Sequence, residues 1–328
     1  MSVQILTVAS DEADLRLDRW FKRHFPAVGH GLLEKWLRTG QVRIDGKRAK
    51  SNQRLEASQQ IRVPPLPEGP RPEAAPRPAV DAKIARMLED SVLYLDDDVI
   101  VIDKPPGLAV QGGTGMAEHH LDAMLDVLRF GAAERPRLVH RLDKDTSGVL
   151  VLGRSAGAAA KLAAAFKSRA AHKCYWALVV GVPKIRQGRI DAPLAKLPGP
   201  MGDKVAVDED EGKRAVTWYR VVEYAGKRAA WLEMEPRTGR THQLRAHCAL
   251  LGTPILGDGK YGGKAAFIEG QGVSRKLHLH ARAIRMPHPR NGTIEVTAPL
   301  PPHIAASFAF FGFEEAQAGE AFAAFESE

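Results

Sequence analysis

The sequence predicts an α+β protein in two parts, and three observations carry that prediction. Residues 64–78 hold seven prolines in fifteen positions, a density that favours extended chain over packed structure. Ahead of this stretch, large apolar residues recur at helical spacing and then give way to short alternating segments. Behind it, from about Asp81, helical and strand patterns succeed one another for more than two hundred residues. The expected parts are a small module over residues 13–65, a linker over 66–84, a large domain over 85–310 and an acidic tail over 311–328.

In the small module, Leu17, Trp20, Phe21 and Phe25 share one helical face, with Arg16, Arg19, Lys22 and Arg23 between them. A second helix carries Leu32, Leu33, Trp36 and Leu37 and stops at Gly40, where glycine suits a left-handed C-terminal cap. Val42-Arg43-Ile44, the turn pair Asp45-Gly46, Lys47-Arg48 and the segment Gln60–Val63 then predict a small basic sheet.

In the large part, Val92–Leu95 and Val99–Ile102 predict strands around the turn Asp96-Asp97-Asp98, and Lys104-Pro105-Pro106-Gly107 ends the second. Gln111–Gly115 is glycine-rich but lacks the Lys-Ser/Thr ending and strand–helix setting of a phosphate loop. Leu121, Met124, Leu125 and Leu128 predict an amphipathic helix. Leu138-Val139 and Val149–Leu152 predict strands on either side of a charged loop, and Ser155 suits the N-cap of an alanine-rich helix ending near Arg169. Further strands are expected at Lys173–Val179, Thr217–Glu223, Ala230–Glu235, Leu277–Ile284 and Thr293–Thr297. A helix is expected from about Thr241 to Leu251, closed by Gly252. The tail from about Gly312 is compatible with a short helix or with disorder.

Composition narrows the function. Lys and Arg number 47 against 39 Asp and Glu, a net charge of +8. Residues 304–328 hold five Glu and no Lys or Arg, so residues 1–303 carry +13. Residues 1–66 hold twelve basic and seven acidic side chains. Such a balance suits a nucleic-acid partner. The two cysteines, Cys174 and Cys248, have no zinc spacing or disulfide framework, which fits a reducing cytoplasm. No signal peptide and no apolar run of membrane-spanning length is expected.

Three segments set reactive side chains on regular mounts. His140-Arg141-Leu142-Asp143, with Thr146-Ser147-Gly148, is a polar loop between apolar strands, and rigidly mounted loops are common seats of catalysis. Lys173-Cys174-Tyr175-Trp176-Ala177 alternates, placing Lys173, Tyr175 and Ala177 on one strand face and Cys174 on the other. Gly239-Arg240-Thr241-His242-Gln243-Leu244-Arg245-Ala246-His247 opens a helix on which Thr241 and Arg245 are four apart and share a face. Asp143 and Asp145 together admit a glycosidase reading, though glycosidases set two carboxylates several ångströms apart around a sugar. His242 and His247 diverge on a helix. His278 and His280 share a strand face without a third ligand, so no metal site is expected.

These segments, written HRLDKDTSG, KCYWALVVG and GRTHQLRAH with LGTPILGDGKYGG, resemble the three sequence motifs of the RluA-type pseudouridine synthases. The resemblance runs over residues 13 to 300. Arg16-Leu17-Asp18 and Gly40-Gln-Val42-Arg-Ile44-Asp-Gly46 resemble the S4 RNA-binding domain that precedes the catalytic domain in members acting on the large ribosomal subunit. The resemblance implies a catalytic domain built on a mixed, mostly antiparallel sheet with flanking helices. It implies that Asp143 is the nucleophile, attacking either ribose C1′ or base C6. Arg245 would pair with Asp143 and keep it ionised. Tyr175 would stack on the target uracil and assist proton movement at C5. Arg141 would fill the space left by a flipped nucleotide. His140, Thr146, Ser147, Arg240 and Gln243 would support the loop or contact RNA, while Asp145 matches a variable position and receives no role. Arg16, Arg19, Lys22, Lys35, Arg43, Lys47 and Arg48 are the expected RNA contacts of the small module.

The implied function is isomerisation of uridines in 23S ribosomal RNA by a cytoplasmic, monomeric enzyme without cofactor, metal or membrane partner. Two alternatives remain at this point: an RNA-binding ribosome assembly factor with incidental modification, and a synthase acting on transfer RNA.

Overall fold

In the computed structural model, residues 3–66, 80–112, 120–197, 204–270 and 273–325 are described. Most of the expected linker, Gly113–Gly115 of the glycine-rich loop and the last three tail residues lie outside the described residues. The chain forms two units, Met1–Pro78 and Ala79–Glu328.

In the small unit the helical spacing of the aromatics decides the packing. Helix α1 (Leu17–His24) buries Leu17, Trp20 and Phe21, and α2 (His30–Arg38) buries Leu33, Trp36 and Leu37. They share a core with Val42, Ile44, Leu55, Ile61 and Val63. A strand β1 (Gln4–Thr7) pairs antiparallel with β4 (Gln60–Val63), beside β2 (Arg43–Ile44) and β3 (Lys47–Arg48). The expected start at residue 13 therefore leaves out one strand. Ile5 of β1 is 64% exposed, so the apolar–polar alternation that would have marked this strand from its sequence is blurred. Glu12, nearly buried, joins the segment after β1 to α1. It accepts Trp20 Nε1–H at 2.9 Å and the Ala9 amide at 3.2 Å, and lies 2.5 Å from His24 Nε2. Burial pushes the Glu12 pKa up, but these bonds outweigh it and hold the carboxyl below its usual range.

The large unit begins with α3 (Ala82–Asp90), capped by Asp81 inside the expected linker, so the ordered domain starts before residue 85. Its sheet includes β5 (Val92–Leu95), β6 (Val99–Lys104), β7 (Arg137–Leu138), β8 (Ser147–Gly153), β9 (His172–Val180) and β10 (Gln187–Asp191). After the separate hairpin β11 (Leu194–Leu197) and β12 (Lys204–Val207) come β13 (Val216–Ala225), β14 (Ala229–Pro236), β15 (Leu279–Pro287) and β16 (Thr293–Thr297). The strand order is β10-β13-β14-β9-β15-β8-β6-β5, with β16 on β15 and β7 on β8. Among the described residues every pairing between these strands is antiparallel except β8 with β15, joined at Ser147–His280 and Gly148–Ala281. This is the mixed, mostly antiparallel sheet expected.

Both faces of the sheet are covered, so its strands alternate between two cores rather than between core and water. Val99, Val101, Val149 and Val151 face α5 (Ala156–Ser168), whereas Ile100, Ile102, Leu150 and Leu152 face α3 and the segment 121–129. On β9, Ala177 and Val179 face α6 (Gln243–Leu250), and Cys174, Trp176 and Leu178 face α7 (Pro302–Phe311). The segment after α7 extends that second layer: Phe313, Ala318 and Phe322 join the same core, and Phe325 is buried as well. Arg282 pairs with Glu315 at 2.8 Å, and Arg220 donates to the carbonyl of Ala318. Through Phe325, then, the tail belongs to the domain, because its phenylalanines cover a sheet face that is otherwise open.

Three further elements depart from expectation. The helix expected over Leu121–Leu128 is a single turn, α4 (Leu121–Met124), followed by a 3-10 turn to Arg129; Asp126 binds Arg129 and Arg135 across the bend. The helix expected from Thr241 starts at Gln243. The Gln243 side chain bonds Thr238, the Arg240 amide, Val216 and Thr217, holding the preceding residues in a turn. Thr241 is thus outside the helix and does not share a face with Arg245. The strand expected from Leu277 starts at Leu279, which leaves His278 before it, bonded to Ser307 at 2.8 Å.

Candidate active site

Asp143 sits in the loop between β7 and β8, and the flanking residues hold that loop from several sides. Leu142 is buried in the core with Leu150 and Leu152. His140 stacks on Phe166 at 4.3 Å, and its Nε2 accepts the Val151 amide at 2.8 Å. Burial, aided by the Lys173 charge, pulls the His140 pKa down to about 3, so its imidazole is neutral and anchored to the backbone. Ser147 bonds His280 Nδ1 at 2.9 Å inside the β8–β15 junction. Lys104, fully buried at the end of β6, donates to the carbonyls of Pro105, Leu108 and Lys144 at 2.8, 2.9 and 3.0 Å. Between these anchors the Asp143 side chain projects, one quarter exposed.

Two cationic or proton-bearing groups face it from α6 and its N-cap. Arg245 Nη1 lies 3.8 Å from Asp143 Oδ2, and His242 Nε2 lies 3.9 Å from the same oxygen. Arg245 is expected to pair with Asp143, and it does so at ion-pair distance. Its two hydrogen bonds, however, go to the fully buried Asp258, at 2.8 and 2.7 Å. The fork-on-fork geometry fixes the guanidinium plane, and Tyr261 stacks beneath it at 5.0 Å. Burial opposes the Arg245 charge, but Asp258, with Asp143 adding to it, outweighs burial.

His242 has a left-handed backbone, φ 53°, a conformation uncommon outside glycine. Its Nδ1 is 2.9 Å from the Tyr261 hydroxyl, which accepts the Val205 amide of β12 at 3.0 Å. A Tyr261 hydroxyl that donates to Nδ1 would place the proton of a neutral imidazole on Nε2, the nitrogen nearer Asp143. Tyr175 lies on β9 beside the loop. Burial, followed by the Asp143 charge, raises its pKa, so the phenol keeps its proton at neutral pH.

Asp143, Tyr175, Arg245, Arg141, His140 and Arg240 all line one cleft of about 1060 Å³. Its other cations are Lys167, Arg169, Lys173 and Arg237, and among the described residues its only other carboxylate is that of Glu235. A cleft so lined attracts a polyanion. Arg141 stands exposed at the rim, and Arg240 bonds the Arg214 carbonyl at 3.1 Å. Arg16, Arg19, Lys22, Lys35, Arg43, Lys47 and Arg48 are exposed on the small unit. Of these, Arg16 pairs with Asp18 at 2.6 Å and Arg43 donates to the carbonyls of Gly40 and Gly46.

Lys104, Asp258 and Tyr261 hold the candidate site in place, and the sequence reading did not single them out. Asp258 and Tyr261 stand inside the motif LGTPILGDGKYGG, where an acid in an otherwise apolar and glycine-rich run is the signal that was available. Among the described residues no three His, Cys, Asp or Glu side chains converge as a metal site would require.

A family model described as RNA pseudouridylate synthase matches residues 98–250. Ribosomal large subunit pseudouridine synthase C of Escherichia coli strain K12 is 36% identical over 305 residues, spanning 91% of this chain and 93% of that protein. Its Rickettsia conorii counterpart is 36% identical over 82% of this chain and 88% of that protein. Among solved structures, human RNA pseudouridylate synthase domain containing 4 superposes with a TM-score of 0.60 at 29% identity, over 71% of this chain and 97% of that one. With a shared sequence over nine-tenths of its length and a carboxylate at the base of a cationic cleft, this chain belongs to the RNA pseudouridylate synthases, isomerases that convert uridine to pseudouridine in RNA.

Proposed function

We propose that the protein isomerises uridines of 23S ribosomal RNA in the cytoplasm, with Asp143 as the nucleophile. The observation that carries this reading is the placement of Asp143: a projecting carboxylate on a pinned loop, facing an arginine that Asp258 holds rigid, at the base of a basic cleft. The relatives named for the large ribosomal subunit support the substrate. No helix among the described residues is long and apolar enough to cross a membrane, which is compatible with the compartment.

Uridine and pseudouridine are isomers, so the reaction breaks C1′–N1, makes C1′–C5, takes a proton off C5 and returns one to N1. No electrons enter or leave. Asp143 forms the temporary bond that keeps base and ribose together, at C1′ or at C6. Tyr175 stacks on the uracil and assists the C5 proton. Arg245 holds Asp143 ionised and oriented. Arg141 takes the place of the flipped nucleotide in the RNA stack. His140 and Arg240 line the path of the RNA, His140 through the loop it anchors. The small unit, S4-like in its two helices and basic sheet, adds sequence-independent affinity through Arg16, Arg19, Lys22, Lys35, Arg43, Lys47 and Arg48.

Pseudouridine mapping of ribosomal and transfer RNA from a deletion strain tests this. Sites lost from 23S RNA should return with the wild-type gene and not with Asp143→Asn. Return with Asp143→Asn removes the nucleophile assignment. Loss confined to transfer RNA removes the ribosomal substrate, and no lost site in either RNA leaves only an assembly role.

A further inference from the structure

Lys173 is a half-buried cation with no hydrogen-bond or ion-pair partner among the described residues. It lies on β9 two residues before Tyr175, so both side chains leave the same face about 7 Å apart along the strand. Both line the cleft. Among the described residues no acceptor lies within hydrogen-bond or ion-pair reach of the Lys173 ammonium. The nearby acid that could have taken it, Glu235, is 3% exposed and already bound to His172 Nδ1 at 3.0 Å and Arg237 Nη1 at 3.1 Å. An unpaired, partly desolvated ammonium is costly to the fold, which is the usual mark of a group kept for its substrate.

We infer that Lys173 is a catalytic residue whose ammonium stabilises the negative charge that the uracil ring acquires when its bonds to ribose are exchanged. The inference rests on Asp143 as the nucleophile and Tyr175 as the stacking partner. With attack at C1′, the oxygen–C1′ bond forms as C1′–N1 breaks, and the bond pair passes to N1, spreading to O2 and O4. After the base turns, a ring pair closes C5–C1′ and the carboxylate recovers its own pair. The C5 proton is then lost and N1 takes one up. With attack at C6, the oxygen–C6 bond forms as the C5–C6 pair shifts onto O4. Both routes load the carbonyl edge of the base. A uracil stacked on Tyr175 brings that edge within reach of a four-carbon stem rooted two residues away. A preplaced cation in a low-dielectric cleft is among the strongest means of lowering such a barrier.

The charge environment of Lys173 is defined on each side. Burial pulls its pKa down to about 8, with Glu235 of β14 opposing the fall and Arg237 adding to it. His140, from the loop before β8, is neutral, and Tyr175 keeps its proton. Because the lysine carries its charge below about 8 and loses it above, the catalysed rate should fall as pH rises through that value.

Single-turnover kinetics on an unmodified 23S RNA transcript test the inference, with wild type, Lys173→Met, Lys173→Arg and Asp143→Asn side by side. Lys173→Met should lower the rate at saturating enzyme about 100-fold and leave the half-saturating concentration within about twofold. Its melting temperature should stay level or rise, since an unpaired buried charge has been removed. Lys173→Arg should keep a rate within about tenfold of wild type and move the alkaline fall upwards. A weaker half-saturation at an unchanged rate would make Lys173 a phosphate contact and overturn the inference. So would a lower melting temperature in Lys173→Met with an equal rate loss in Lys173→Arg. Activity surviving in Asp143→Asn would instead remove the nucleophile reading, a separate outcome.

Discussion

Lys104 shows how much one side chain settles. An ammonium has three hydrogens, and Lys104 gives them to three backbone carbonyls, two in the turn after β6 and one on Lys144, the neighbour of Asp143. A fully buried charge is tolerable only with such complete bonding. Burial still pulls its pKa down to about 8, against the pull of Asp145, Asp143 and Asp103. Lys104→Met strips three part-buried carbonyls of their donor and should destabilise the large unit by about 3 kcal/mol. It should also slow the reaction more than it weakens RNA binding, because the released loop carries Asp143, the proposed nucleophile. Urea unfolding and single-turnover rates check both, and a variant with wild-type midpoint and rate would remove Lys104 from the site's support. In the sequence, Lys104 opens a Lys-Pro-Pro-Gly stretch legible only as the end of a strand. Its bonds reach Lys144, forty residues away, and local pattern carries no trace of such a partner.

At the scale of elements, the junction between β8 and β15 is the tightest constraint on the site. Gly148 there has φ +104°, and a Cβ on it would sit 2.2 Å from the Ala281 carbonyl oxygen, well inside van der Waals contact. Gly148→Ala must push β8 off β15 at its only parallel contact, five residues from Asp143. We expect a loss of about 3 kcal/mol or more in unfolding free energy and a rate reduced about 100-fold, read by urea titration and single-turnover assay. Unaltered unfolding would mean the strands can separate without cost. Element types were largely legible, because apolar runs such as Val99–Ile102 and turn pairs such as Asp45-Gly46 declare themselves locally. The elements that escaped do so for physical reasons. β1 shows Ile5 to water, α6 is delayed by the bonds of the Gln243 side chain, and the tail finds its place only once β9 and β14 offer it a face.

At the scale of the molecule, the large unit buries imidazoles that hold its site and sheet together, and this gives it a definite weakness to acid. His140 braces the loop that carries Asp143, His247 bonds Thr217 of β13 at 2.9 Å, and His280 bonds Ser147 at the β8–β15 junction. Burial is the leading cause that lowers each, to about 3 for His140 and about 4 for His247 and His280. In the unfolded chain they titrate near 6.5. Between about 6.5 and 4 the unfolded state therefore binds more protons than the folded one, and stability present above 6.5 is lost as pH falls through that window. Each histidine contributes up to about 1.4 kcal/mol per pH unit, so three approach about 4 kcal/mol per unit. A domain of ordinary stability, about 5–15 kcal/mol, should then unfold not far below pH 5. In the small unit the paired Glu12 has its pKa lowered, so its stabilising contribution persists to lower pH and is lost only as pH falls below the usual carboxylate range. Tryptophan fluorescence unfolding in urea at pH 7.5, 6 and 5 measures the slope, and His280→Asn should reduce it by about 1.4 kcal/mol per unit. A midpoint unchanged from pH 7.5 to 5 would mean that these imidazoles protonate inside the fold without disrupting it, and the neutral anchors assigned to the Asp143 loop and its junction would have to be replaced by charged ones.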